Sequence, residues 1–137
     1  LYKLLQKKGL NVCGVSSSEC DLRSYSQVKR CFKEFKGIDV IYNLAAHVGS
    51  VHYVSEKAAE VITDNSSISL SLYKASKEIF PKALVINVLS NCSYPSGETR
   101  QSEDKWLDGP VHHSISAFEI TSDFYFIFLI LIKSNII

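Results

Sequence analysis

The sequence predicts an α/β fold: a parallel sheet flanked by helices on its faces. Three observations carry that reading. Apolar runs of strand length alternate with stretches of helical period, which builds right-handed βαβ units. The runs are almost free of charge, as strands buried on both faces are. One of them, Val85-Ile86-Asn87-Val88-Leu89, turns polar at once into Ser90-Asn91-Cys92-Ser93-Tyr94 before Pro95 stops it. In an open parallel sheet, ligands bind just outside the carboxyl ends of the strands, so a polar cluster there is where chemistry is sought.

The elements follow in order. Leu1, Leu4 and Leu5 share a helix face and Gly9 suits the C′ position that ends the helix. Leu10–Ser16 (LNVCGVS) reads as a short buried strand. Ser24 is placed as N-cap of a helix to Phe35, with Val28, Cys31, Phe32 and Phe35 on one face and Gly37 as the stop. Ile38–Ala46 (IDVIYNLAA) is the next strand, and His47-Val48-Gly49-Ser50 the loop at its carboxyl end. Ser55–Lys77 is helical in period, with Asp64-Asn65-Ser66-Ser67 as an interruption and Pro81 as the end. Residues 96–111 read as loop around Trp106, and Ser114 as the cap of a last element, for which a helix is the expectation.

Composition narrows the class. At 137 residues with 46% hydrophobic content the chain can bury a core as one domain or part of one. A net charge of +1, with acids and bases interspersed, gives no reason to expect nucleic acid as a partner. Cys13, Cys20, Cys31 and Cys92 show no CxxC spacing, so they read as reduced thiols of a cytoplasmic protein and not as a zinc site or disulfide framework. Adjacent His112 and His113 are ordinarily solvated, and no metal site is expected. Phe124–Ile132 is an unbroken apolar run of nine, too short for a helix that spans a bilayer, which needs about 20 residues. Lying on a membrane surface is a minor alternative for it.

Asp21-Leu22, the run Asn43-Leu44-Ala45-Ala46-His47-Val48-Gly49, Asn65, the run Leu89-Ser90-Asn91-Cys92-Ser93-Tyr94-Pro95, and Gly109-Pro110 together resemble the extended short-chain dehydrogenase/reductase family. These are the NAD-dependent epimerase/dehydratases of nucleotide sugars, and the GDP-L-fucose synthases are the branch most resembled. The resemblance runs from Leu1 to about Phe118. It implies a Rossmann-like doubly wound sheet over residues 1–118, a partial dinucleotide-binding domain, followed by a divergent hydrophobic tail over 119–137. It implies NAD or NADP as cofactor and a nucleotide sugar as substrate. Asp21 and Leu22 would meet the adenine, and Leu44, Ala45 and Ala46 would lie against the dinucleotide, small side chains letting the backbone approach. His47, Val48, Gly49 and Asn91 would face the substrate. Ser90 would hydrogen-bond the reacting sugar oxygen, and Cys92 would take part in proton abstraction beside a keto group. Plainer roles stand beside these: Asp21 serves equally as a loop cap, and free cysteine is most often a small buried hydrophobe.

The sequence departs from the family pattern at three places. No GxxGxxG occurs, the turn that would cradle the pyrophosphate at a helix N-terminus. The expectation is a truncated fold in which the first, central strand and the C-terminal substrate domain are absent, with Leu10–Ser16 and Ile38–Ala46 on either side of the gap. At the family's YxxxK positions stand Phe118 and Ser122, and a phenyl ring has no exchangeable proton. From about Glu119 the composition changes. The expectation is therefore a fragment of such an enzyme, not competent alone. From a different class comes a second expectation, a non-catalytic module that dimerises with itself or with a full-length relative through its interface helices.

Overall fold

The computed structural model describes residues 1–88, 94–95, 102–105 and 108–109. The described chain runs α1 (Tyr2–Lys7), α2 (Tyr25–Lys33), β1 (Val40–Asn43), α3 (Val51–Glu56), α4 (Ala58–Ile79) and β2 (Leu84–Asn87), with a single 3-10 turn at Glu103–Lys105. β1 and β2 are parallel and in register from Val40↔Leu84 to Asn43↔Asn87. The crossover between them is α3 and α4, so the expected βαβ unit is present.

The core lies where α2 meets α4. Val28 and Phe32 of α2 close on Leu72 and Ala75 of α4, with Cys20 beside them and Ile41 and Val85 packed from the two strands. The α2 face is the one expected from the Val28/Cys31/Phe32/Phe35 spacing. Phe32 stacks at a tilt on Phe80, ring centroids 5.5 Å apart. Val28 is fully enclosed, worth about 1.5–3 kcal/mol relative to exposure. Val54 of α3 and Val61 of α4 are also buried, apart from this cluster. Tyr25 and Lys29 of α2 both donate to the carboxylate of Glu78 on α4.

Gly9 and Gly37 both adopt positive φ, at 77° and 64°; Gly9 is the C′ residue of α1, as its reading as a helix stop requires, whereas α2 ends at Lys33, short of the expected Phe35, and Gly37 lies past its C-cap Glu34. Ser24 occupies the N-cap of α2 with extended backbone, but its hydroxyl meets Ser26 and makes no cap bond.

Four expectations are corrected. Leu10–Ser16 is no strand: among the described residues none of Asn11 to Val15 makes a backbone hydrogen bond, and Leu10 and Val15 are exposed. A strand exists only through its ladder, and the one ladder among the described residues joins β1 to β2. Ile38–Ala46 is laddered only over Val40–Asn43, and is covered on one face alone, since Val40 and Tyr42 are exposed while Asn43 is buried. The helix expected over 55–77 is two, α3 beginning at Val51, and Asp64–Ser67 does not interrupt α4. Its internal serines bond back along the helix, Ser69 Oγ to the Asn65 carbonyl and Ser76 Oγ to that of Leu72, each at 2.7 Å. Lastly, α1 buries no residue, so its leucine face lacks cover.

Candidate functional site

The carboxyl ends of both strands are tied together and to α4. Asn43 and Asn87 are register partners, and the Asn43 amide donates to Asn87 Oδ1 at 2.9 Å. Asn87 in turn donates to the buried Tyr73 hydroxyl on α4. Asn43 Oδ1 accepts the Ala45 N–H at 3.2 Å, turning the chain out of the ladder. Leu44, 58% exposed, and Ala46 then lie open on the surface, with Ala45 partly covered.

His47 comes next and is held from three sides. Asn65 of α4, 3% exposed, clamps its backbone: Oδ1 accepts the His47 N–H at 2.7 Å and Nδ2 donates to the His47 carbonyl at 3.1 Å. The ring lies between Asp64, 2.9 Å from Nδ1, and the Tyr53 hydroxyl, 2.8 Å from Nε2. With a carboxylate on Nδ1, the neutral ring carries its proton there, so Nε2 accepts from the phenol. Gly49 makes room for this arrangement, since a Cβ there would stand 2.8 Å from Cγ of Tyr53. Val48 is 65% exposed.

Arg23 links this loop to the turn before α2. Its Nη1 reaches Asp64 Oδ2 at 3.2 Å, while Nε and Nη2 donate to the two oxygens of Asp21, each at 2.9 Å. Its carbonyl accepts from Ser71 Oγ of α4. The Arg23 guanidinium and backbone N–H hold the Asp21 carboxyl below the usual carboxylate range. Those two acids in return hold the guanidinium firmly protonated. Glu19 is likewise lowered, by the Ser16 hydroxyl and N–H. Between α3 and the start of α4 an open cleft of about 570 Å³ is walled by Arg23, His47, Tyr53 and Lys57.

Of the residues expected at a site, the structure brings His47 and Gly49 into contact through Tyr53. It joins Asp21 to His47 through Arg23 and Asp64, and leaves Leu44, Ala46 and Val48 as an exposed strip. Leu22 packs against the core. Ser90, Asn91 and Cys92, with Phe118, Ser122 and the tail from Glu119, lie outside the described residues. Tyr94 and Pro95 are described and half-buried, and Pro95 lies beside Gly109. Tyr53, Asp64, Arg23 and Tyr73 were not foreseen. The available signal was the polar run Asp64–Ser67 inside an apolar helix, which marks a side where polar side chains find partners. Among the described residues no three His, Cys, Asp or Glu side chains gather as metal ligands.

A dinucleotide fits these residues at its nucleoside end only. The exposed Ala46, with no side chain beyond Cβ, admits close approach beside the partly covered Ala45. Asp21 takes three donors from Arg23, which leaves part of its acceptor capacity free. Among the described residues there is no matching cradle for the pyrophosphate: of the two positive-φ glycines, Gly9 follows the C-cap of α1 and Gly37 lies in the segment before β1, and neither opens a helix.

Residues 1–121 match the NAD dependent epimerase/dehydratase family. A GDP-L-fucose synthase of Dictyostelium discoideum is 30% identical over 99 residues, covering 72% of this chain and 30% of that protein. The GDP-L-fucose synthetase of Naegleria fowleri superposes with a TM-score of 0.75 at 22% identity, over 89% of this chain and 36% of its own. A GDP-mannoheptose C4 reductase of Campylobacter jejuni, solved with NADP bound, gives 0.73 at 22% identity, over 88% and 38%. The chain thus spans 30–38% of the length of these relatives. The parallel βαβ unit is the Rossmann-like fold they share, and with the family match covering most of its length this chain belongs to the NAD-dependent epimerase/dehydratase family, as a partial member related to GDP-L-fucose synthase.

Proposed function

We propose that this chain is the nucleoside-binding side of a nucleotide-sugar epimerase/reductase of the GDP-L-fucose synthase kind, and that these 137 residues alone do not turn over substrate. The carrying observation is the strand end Asn43–Gly49, where small exposed side chains are held by buried amides, combined with Phe118 and Ser122 where the resemblance requires Tyr and Lys. A bound dinucleotide would supply or accept hydride. This chain's own part would be to seat the adenosine between Asp21 and Leu44–Ala46 and to present His47, Val48 and Gly49 to a sugar nucleotide, with Ser90, Asn91 and Cys92 in the roles the resemblance implies. Reducing, cytoplasmic surroundings fit the free thiols of Cys13, Cys20 and Cys31.

Titration with NADH and NADPH, followed by fluorescence, tests the reading. The expected Kd is above about 1 mM, the level of a ligand held by less than roughly 4 kcal/mol. No reduced cofactor should be consumed with a keto-sugar nucleotide. Micromolar binding, or turnover, would overturn the claim of incompetence.

A second reading draws on α4, the long interface helix of the resemblance, where Leu70 stays exposed. In it the chain is a non-catalytic partner of itself or of a full-length relative. Co-purification with such a relative at fixed stoichiometry supports it, and a strictly monomeric chain in the presence of the relative counts against it.

A further inference from the structure

We propose that the end of the molecule where α2 and α4 stop and β1 and β2 start is a docking face for an anionic lipid surface. The two helices run the same way. Ser71 Oγ of α4 donates to the Arg23 carbonyl just before α2, Lys29 of α2 meets Glu78 near the end of α4, and Phe32 stacks on Phe80 beyond it. Both helices therefore finish at one end. Both return from it into the sheet, where the Leu84 N–H donates to the Asp39 carbonyl at 2.9 Å. The candidate site lies at the opposite end, because Asn43 and Asn87 close the strands there.

Positive charge gathers at this end. Residues 29–39 and 74–84 hold seven of the chain's 15 basic residues and three of its 14 acidic ones, in a chain whose net charge is +1. Of those acids, Glu78 is taken up by Lys29 and the Tyr25 hydroxyl. Lys33, Lys36, Lys77 and Lys82 are exposed, and among the described residues none of them has a carboxylate within ion-pair distance. The helix dipoles account for Lys33 and Lys77, which stand in last turns, but not for Lys36 and Lys82, which lie beyond the helix ends. At the start of the strands the register partners Val40 and Leu84 are both exposed. Apolar side chains beside lysines suit a surface of anionic headgroups: the surface potential attracts the lysines, and the apolar pair enters the headgroup boundary. An acidic protein segment would call for a groove and the bidentate forks of several arginines. This end carries one arginine, Arg30, and the 570 Å³ cleft opens beside the candidate site instead.

Docked this way, the chain turns the carboxyl ends of its strands, and with them Asn43–Gly49, away from the lipid and toward dissolved ligands. Co-sedimentation of the whole chain with vesicles tests the proposal. Phosphatidylcholine vesicles carrying about 30% phosphatidylserine should bring the chain down at low salt and release it as sodium chloride rises from about 0.1 to 0.5 M. Vesicles of phosphatidylcholine alone should not bring it down. Lys36→Gln and Lys82→Gln should each lower partitioning about fivefold. Lys57→Gln makes the same change of net charge at the N-cap of α4, roughly 30 Å along the helix from Lys77, and should leave partitioning as it was. The three lysines are exposed, so far-UV circular dichroism should be alike in all variants. No partitioning onto the phosphatidylserine vesicles, or equal partitioning onto phosphatidylcholine alone, would overturn the proposal. So would an equal loss with Lys57→Gln, no loss with Lys36→Gln and Lys82→Gln, or capture by polyglutamate in place of vesicles.

Discussion

Asn65 joins sequence to site most directly. One amide side chain satisfies both backbone groups of His47 from within α4, so the loop beyond β1 is held by a helix residue 18 positions away. Asn65→Ala would leave a buried N–H and C=O without their partner, a loss of about 2–4 kcal/mol. Urea unfolding should show that cost, and a loss below about 0.5 kcal/mol would mean the loop is held by the His47 ring instead. Acid sensitivity also belongs to single residues. The carboxyls of Glu19, Asp21 and Glu78 lie below their unfolded values, through Ser16, Arg23 and Lys29 respectively. Their stabilisation is therefore present above the unfolded pKa and fades as pH falls through the lower folded value, below about pH 4. All three are at the surface, so the expected outcome is a modest fall in Tm between about pH 4 and 2, weakened by salt. No change in Tm over that interval would remove these pairs from the account of stability.

At the scale of elements, two serines in equivalent positions separate. Ser50 caps α3, its Oγ accepting the Tyr53 N–H at 3.2 Å, whereas Ser24 stands at the N-cap of α2 without a cap bond. Ser50→Ala should cost about 0.5–2 kcal/mol, and Ser24→Ala a few tenths at most. Chemical denaturation of the two variants decides, and equal costs would show that Ser24 caps α2 in solution. The cap also sets where the cleft wall begins, because it places Tyr53 against Gly49 and His47. α4 shows why a polar run need not end a helix. Asp64 and Asn65 point to the His47 loop and Ser69 and Ser76 bond to carbonyls of the preceding turn, so each polar group is satisfied while Val61, Ile68 and Leu72 keep the core.

For the whole molecule, the decisive feature is apolar surface with no partner among the described residues. Val40, Tyr42, Leu44, Leu84 and Val88 are exposed on or beside the two-stranded sheet, and Leu1, Leu4 and Leu10 on the segment before it. A two-stranded sheet has two open edges, and such edges invite association. The isolated chain is expected to bind a hydrophobic dye such as ANS through this exposed surface. No dye binding would show that residues outside the described set cover the sheet.

The helical crossover from β1 to β2, the parallel sense of the sheet, the α2 face and the glycine stop at 9 were legible in the sequence. Each depends on local period or on a backbone conformation that one residue type favours. Leu10–Ser16 was not legible, because its strand-like composition states only what the segment could pair with, and a ladder needs a neighbour that composition cannot supply. Nor was the chain of contacts Asp21–Arg23–Asp64–His47–Tyr53 legible, whose members come from four places in the sequence. Only the packing of α4 across the turn at Arg23 and the loop at His47 brings those charges within bonding distance, and the direction of each hydrogen bond follows from that approach and not from any spacing in the chain.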